Sequence, residues 1–329
     1  MRHRDQTGAI RIHRTGGVDV LQWESIKVGP PEVDQVLIRQ TAIGLNFIDT
    51  YLRSGLYPTD LPTILGFEGA GVVEAVGEGV ETIAVGDRVA YATGPIGAYS
   101  QYRIFPAIHL VKIPDAISDQ VAACVMLKGM TVEYLLNRTY AVQSGDIILF
   151  HAISGGVGNI ACQWAKHLGA KVIGTVGSPE KAELARANGC DYVVEYRRES
   201  FLDLVMEVTN GQGVPVVYDA VGQSTFENSL NSLRIRGLFV SFGQASGSIP
   251  KVDLRCFSPR NLYFTRPSLF GYCSNPTDLA NSAGQLFDLI QRGVIQGVEP
   301  KQSFALADAA DAHTTLESRQ TRGSTILIP

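Results

Sequence analysis

Residues 147–168 constrain this chain more than any other stretch. Ile147 to Phe150 form an apolar run that ends at a glycine-rich turn, HAISGGVG, over 151–158. Beyond it, Val157, Ile160, Ala161, Trp164, Ala165 and Leu168 recur at spacings of three and four, so they share one helix face. A buried strand, a turn with little side chain and an amphipathic helix form the start of a βαβ unit. In that setting the helix N-terminus offers N–H groups and a positive dipole end to an anion such as a pyrophosphate. Gly155, Gly156, Val157 and Gly158 are the candidate contacts. The first glycine of G-x-G-x-x-G is replaced by Ile153, so the motif reads AxxGxxG from Ala152 through Gly155 to Gly158. Alone, such a turn is compatible with an ordinary strand–helix connection. The elements C-terminal to it argue for a dinucleotide site.

Downstream, strands and helices alternate. Strands are expected at 171–176, 192–194, 215–219, 237–242 and 262–266, with helices at 179–188, 201–209 and near 225–233. That order predicts an α/β Rossmann unit with a doubly wound parallel sheet over 129–267. Upstream the pattern differs: 34–42, 70–76 and 86–91 read as short strands broken by glycine and proline, a mostly β unit. After 268 a helix at 277–292 precedes the apolar tail STILIP at 324–329, read as returning to the first unit. The second domain is therefore 1–128 with 268–329, discontinuous around the inserted sheet. With 329 residues, two domains agree with a prior of about 150 residues each.

The end of the second Rossmann strand bears on the cofactor. An NAD site normally carries Asp or Glu there, about 20 residues past the first glycine, to bind the ribose 2′-hydroxyl. Here the strand ends GTVGSPEK at 174–181, with small apolar residues around Val176. A carboxylate would repel a 2′-phosphate, and its absence permits NADP. Lys181 opens the next helix, and Tyr196 and Arg197 follow the neighbouring strand, where they would supply charge-assisted hydrogen bonds. NADPH is the expected cofactor.

Bulk properties exclude other classes. A net charge of -4 gives no electrostatic footprint for nucleic acid or an anionic membrane. No run of about 18 apolar residues is present to span a bilayer, and the charged start MRHRDQTG lacks the apolar core of a signal peptide. The cysteine count is odd, at 5, with no C-x-x-C, which favours free thiols in a reducing cytoplasm.

Long segments now identify a relationship. They include AIGLNFIDTYLRSGLYP at 42–58, GFEGAGVVEAVG at 66–77, LKGMTVEYLL at 127–136, the turn-and-helix segment at 151–181, VVYDAVG at 216–222, VSFG at 240–243 and ESRQTRGSTILIP at 317–329. Through them the chain resembles the zinc-independent, zeta-crystallin-like NADPH:quinone oxidoreductases of the medium-chain dehydrogenase/reductase superfamily. The resemblance implies a chaperonin-10-like, partly open β-barrel catalytic domain beside the Rossmann domain, with the active site in the cleft between them. It further implies a cytoplasmic homodimer joined through the Rossmann sheets. It places Asn46, Asp49 and Thr131 near the nicotinamide, Gly155, Gly156, Val157 and Gly158 at the pyrophosphate, and Lys181 and Tyr196 at the 2′-phosphate. Ser241, Phe242 and Gly243 would flank the nicotinamide side, and Arg319 would also reach the cofactor.

Zinc-dependent relatives carry Cys where this chain has Asn46 and His where it has Phe67. Neither an amide nor a phenyl ring suits catalytic zinc, so no metal and no alcohol oxidation are expected. Glu68 and Asp87 sit in glycine-rich stretches and read as structural turn residues. His151 reads as a packed or capping side chain, and the histidines show no metal-ligand spacing. Tyr51 and Tyr57 flank Gly55; their phenols would meet a quinone oxygen and ring in the substrate pocket beside Asn46, with core packing the competing reading. Arg266 would face the cleft or the dimer interface. The expected activity is NADPH-dependent reduction of a small quinone, by hydride or one-electron transfer. The alternative is an enone or alkenal double-bond reductase on the same fold, and a non-catalytic crystallin-like or RNA-binding role is the third reading.

Overall fold

The computed structural model describes residues 6–318 and 323–329. The chain separates into two compact units: one takes the chain up to Met130 with Cys273–Gln291 and Gln296–Pro329, the other Thr131–Tyr272 with Arg292–Ile295.

The first unit is mostly β. A small sheet has β1 (Gln6–Ile12) at its centre, antiparallel to β2 (Gln22–Lys27) and to β4 (Thr63–Ile64). A larger sheet is built on β3 (Gln35–Leu45), which pairs antiparallel with β5 (Glu68–Val76), β7 (Tyr102–Pro106) and β16 (Thr325–Ile328). Beyond β5 lie β6 (Arg88–Tyr91) and β8 (Val111–Lys112), and beyond β16 lies β15 (Gln302–Ala305). The order runs from β15 to β8 and does not close into a barrel. The apolar tail joins this unit, pairing Leu327 with Ile43. Val36, Ile38 and Gln40 alternate inward along β3, then Ile43, Gly44 and Leu45 are all buried, because that end is covered on both faces. The core contains Ile10, Ile38, Tyr91, Tyr99, Phe105 and Leu327. Two helices frame the site residues here: α1 (Phe47–Ser54) and α2 (Asp119–Glu133), the latter crossing the boundary at Met130.

The second unit is the expected parallel sheet. Its strands are β9 (Ile147–Phe150), β10 (Lys171–Val176), β11 (Tyr192–Glu195), β12 (Val214–Asp219), β13 (Leu233–Ser241) and β14 (Tyr263–Thr265). Their spatial order is β11-β10-β9-β12-β13-β14, so the order reverses between β9 and β12. The crossovers are α3 (Gly156–His167), α4 (Pro179–Ala187), α5 (Phe201–Val208) and α6 (Phe226–Asn231). The core packs Leu149, Ile173, Val217 and Phe239 against Phe201 and Val205 of α5. The helix expected near 225–233 ends at Asn231, because Leu233 already belongs to β13. Leu233 pairs with Val214 across a register shift, which lengthens that strand beyond the expected 237–242. After Tyr272 the chain forms α8 (Pro276–Gln291) and α9 (Ala309–Glu317), preceded by the single turn α7 (Leu269–Tyr272).

Candidate functional site

Asn46 joins β3 to α1 and is the N-cap of that helix. Its backbone N–H donates to Asp49 Oδ2 at 3.0 Å, so the carboxylate at the third helical position closes the helix start. Its side-chain amide donates to Glu68 Oε2 at 2.7 Å. Glu68 lies at the start of β5, fully buried, and also accepts from the Leu127 N–H at 2.7 Å and from Lys128 Nζ at 3.3 Å. The expectation of a turn residue is corrected here: Glu68 is a strand residue holding β3, β5 and α2 together. Gly44 is what makes room for it, since a Cβ at 44 would overlap both the Glu68 carboxylate and the Ala123 carbonyl.

Asp49 is also wholly buried. Its Oδ2 accepts a second hydrogen bond, from the Tyr99 hydroxyl at 3.0 Å, and Tyr99 meets His313 Nε2 at 3.0 Å. Burial pushes the Asp49 carboxyl up to about 7, against the lowering pull of those two donors. Its other oxygen has no partner among the described residues, so this corner holds a buried acceptor able to take a donor group. Tyr51 of α1 and Tyr57, just beyond its C-cap Gly55, meet edge to face, with ring centroids 5.3 Å apart.

In the second unit, β9 runs into the turn 151–155. Ala152 adopts a left-handed φ of 55°, and its carbonyl accepts the Gly155 N–H at 2.9 Å. The N-cap of α3 is Gly155, which brings no side chain to the first-turn N–H groups of Gly156, Val157 and Gly158. Gly158 packs so closely on the Ala152 carbonyl that a Cβ there would overlap it. This turn fits a pyrophosphate: N–H donors and a helix dipole face it, and side chains are kept away.

The fit continues at the end of β10. Val176 is buried and is followed by Gly177 and Ser178 in place of a carboxylate. Ser178 caps α4, its hydroxyl accepting the Lys181 N–H at 3.4 Å, so Lys181 stands in the first turn. In register, Val176 pairs with Glu195, the residue before Tyr196. A Cβ on Gly177 would sit 3.0 Å from the Tyr196 hydroxyl. Gly177, Ser178, Lys181 and Tyr196 therefore share one corner of this unit, with donors suited to a phosphate monoester.

Ser241 ends β13 and is fully buried; its hydroxyl accepts from Arg266 Nη1 at 3.0 Å, and Arg266 Nη2 reaches Gln244 Oε1 at 3.2 Å. Phe242 packs at 5.6 Å from the Phe150 ring, and Gly243 follows in the same loop. Thr131 is buried in the last turn of α2. Arg319 lies outside the described residues. Sequence reasoning missed the cluster in which His313 bonds both Arg53 and Tyr99, each more than 200 residues away along the chain, which leaves no local signal. No group of three or more metal-ligating side chains occurs among the described residues, and no described helix is long and apolar enough to cross a membrane.

Comparison with known proteins agrees with this geometry. Residues 32–115 match the alcohol dehydrogenase GroES-like domain, and 156–291 match the family described as zinc-binding dehydrogenase. The chain is 53% identical to a quinone oxidoreductase of Pseudomonas aeruginosa, covering 97% of this chain and 99% of that protein. It is 45% identical to a 2-haloacrylate reductase of a Burkholderia species, over 97% of this chain and 98% of that one. Among solved structures, Escherichia coli quinone oxidoreductase in complex with NADPH superposes with a TM-score of 0.96 at 48% identity, over 98% of this chain and 100% of that one.

Proposed function

Because this chain belongs to the quinone oxidoreductase family of the medium-chain dehydrogenases/reductases, we propose that it reduces small quinones at the expense of NADPH. The observation that carries this reading is the corner formed by Gly177, Ser178, Lys181 and Tyr196. The Tyr196 hydroxyl stands there, and the first turn of α4 brings Lys181 to the same strand end, with no carboxylate of the kind an NAD site carries.

When bound, the nicotinamide supplies the hydride. The protein binds and orients. Gly155, Gly156, Val157 and Gly158 would hold the pyrophosphate by backbone N–H groups, and Lys181 and Tyr196 would hold the 2′-phosphate. Asn46, Asp49, Thr131, Ser241, Phe242 and Gly243 would contact the nicotinamide, and Arg319 would be a further cofactor contact, as the family resemblance implies. Tyr51 and Tyr57 offer two phenols and two ring faces to a flat acceptor. With the Asn46 side-chain amide donating a hydrogen bond to Glu68, and Phe67 preceding Glu68 in sequence, the donor set suits no catalytic zinc. The absence of a Lewis-acid site among these residues favours an acceptor that is already electrophilic, a conjugated quinone, over an unactivated alcohol or ketone.

The likeness to a 2-haloacrylate reductase supports a second reading, reduction of an activated carbon–carbon double bond. Steady-state rates with NADPH on 1,4-naphthoquinone and on a simple enone separate the two. Quinone turnover well above enone turnover is expected; no quinone turnover would sink the first reading.

The protein is further read as a cytoplasmic homodimer. The edge strand β14 exposes Tyr263 and Phe264, and Ile235 and Leu254 are exposed in the same unit, at 64% and 76%. An apolar sheet edge of this kind is the natural place for a second copy to pair. Light scattering on the purified protein should give twice the mass of one chain.

A further inference from the structure

His151 stands between β9 and the phosphate turn, fully buried, and its ring makes two side-chain hydrogen bonds, to Thr175 and Ser229. Asp219 accepts on both oxygens: Oδ1 from the N–H groups of Val221 at 2.7 Å and Gly222 at 2.9 Å, Oδ2 from the hydroxyls of Thr225 at 2.6 Å and Ser229 at 3.3 Å. The arrangement in which every donor has an acceptor has Ser229 donating to the carboxylate and accepting from His151 Nε2, 2.8 Å away, since the Thr175 hydroxyl, which already accepts the Ala152 N–H, then donates to Nδ1. The proton on the imidazole is therefore on Nε2. Nδ1 is left as an acceptor and takes the Thr175 hydroxyl at 3.0 Å. The Thr175 oxygen in turn accepts the N–H of Ala152 at 3.3 Å. One donor chain thus runs from Ala152 through Thr175, His151 and Ser229 to Asp219. Burial holds the His151 ring below the usual imidazole range, against the opposing pull of Asp219, which keeps it neutral as the chain requires.

The end of this chain is the left-handed Ala152. For a residue with a Cβ that conformation is unfavourable and persists only where neighbours hold it. Thr175 holds it twice, by its hydroxyl on Ala152 N and by its carbonyl on Ile153 N at 3.1 Å. The Ala152 carbonyl then fixes Gly155 and abuts Gly158.

We propose that His151 is a positioning residue for the cofactor pyrophosphate, locking the Thr175 hydroxyl so that Ala152 turns and the N–H groups of Gly156, Val157 and Gly158 point at the anion. The proposal rests on the reading of this turn as the NADPH phosphate loop.

Two conservative substitutions separate positioning from packing. The amide oxygen of His151→Asn falls near the place of Nδ1 and keeps the Thr175 contact. The amide of His151→Gln falls near Nε2 and keeps only the Ser229 contact. Fluorescence titration with NADPH should give His151→Asn a Kd within about threefold of wild type, and His151→Gln a Kd raised about tenfold or more. Thr175→Val, which removes the hydroxyl at constant shape, should match His151→Gln and serves if the histidine variants fold poorly. Affinity for adenosine 2′-monophosphate, which has no pyrophosphate, should stay unchanged in all three. Equal losses in the Asn and Gln variants, a larger loss in Asn, unchanged NADPH affinity throughout, or parallel losses for adenosine 2′-monophosphate would each overturn the proposal. Wild-type protein that shows no saturable NADPH binding would instead refute the cofactor reading itself.

Discussion

Arg53 Nη1 lies 3.3 Å from Nδ1 of His313, and both side chains are buried. A guanidinium only donates. His313 therefore accepts at Nδ1 and donates from Nε2 to Tyr99, whose hydroxyl donates to Asp49. The charge of Arg53, anchored by Glu317 at 2.7 Å, orients every proton between it and the Asn46–Asp49 corner. Because the chain begins at a guanidinium, which only donates, its polarity is fixed.

That chain gives a pH signature. Asp49 is raised from 3.8 to about 7, so between those values it is protonated in the folded state while the unfolded state has lost its proton; this contribution is full below about pH 4 and is lost as pH rises through 7. Burial, aided by the Arg53 charge, depresses His313 from 6.5 to about 3, so its contribution is full above 6.5 and is lost as pH falls towards 3. Over about pH 4 to 6.5 the two slopes oppose each other, each worth of order 4 kcal/mol across its window. Relative to wild type, Asp49→Asn should gain thermal stability as pH rises through this range and His313→Gln should lose it. Melting temperatures at several pH values check both, and parallel curves for the three proteins would contradict the assignment.

Glu68 and Lys128 form a buried pair at 3.3 Å, with their side chains 0% and 8% exposed. Glu68→Gln keeps the shape but leaves Lys128 buried beside a neutral amide, a loss of about 3–5 kcal/mol. Lys128→Met in that background should recover part of the loss. Denaturant unfolding of the two single variants and the double variant measures the coupling, and strict additivity would show that the pair is not interacting.

Lys181 should account for much of the preference for the phosphorylated cofactor. Lys181→Ala should weaken NADPH binding about tenfold, one charge-assisted contact, with little effect on NADH. Tyr196→Phe should act in the same direction and less strongly. Titration with both cofactors is the check; equal wild-type affinities would remove the basis for the prediction.

Tyr51 is expected to act on the acceptor. Tyr51→Phe keeps the ring that meets Tyr57 and removes one hydroxyl, so KM for 1,4-naphthoquinone should rise about threefold to tenfold while KM for NADPH is unchanged. A loss of stability without a change in either KM would identify the pair as core packing.

The cofactor corner shows how far local sequence signals carry. Val176, Lys181 and Tyr196 are legible as types because strand ends and helix starts have local signatures. Their meeting depends on β10 and β11 being neighbours in register, Val176 beside Glu195. The periodicity of α3 is likewise legible, whereas the early start of β13 at Leu233 is not. Its first residues are made a strand by pairing with Val214, a contact outside any local window.

Glu68 shows where local signals stop. Its glycine-rich surroundings point to a turn, yet it is a buried strand carboxylate that Gly44 makes room for. By itself the sequence determined the alternating elements, the glycine turn at 151–158 and the missing carboxylate after Val176, because apolar period, turn chemistry and residue type act over a few residues. Only the tertiary structure decided what His151, Asp49 and His313 do. A buried imidazole or carboxylate takes its proton state mainly from burial and the placing of its proton from the partners aimed at it, and those partners, Thr175, Ser229, Tyr99 and Arg53, come from distant parts of the chain that meet only when it has folded.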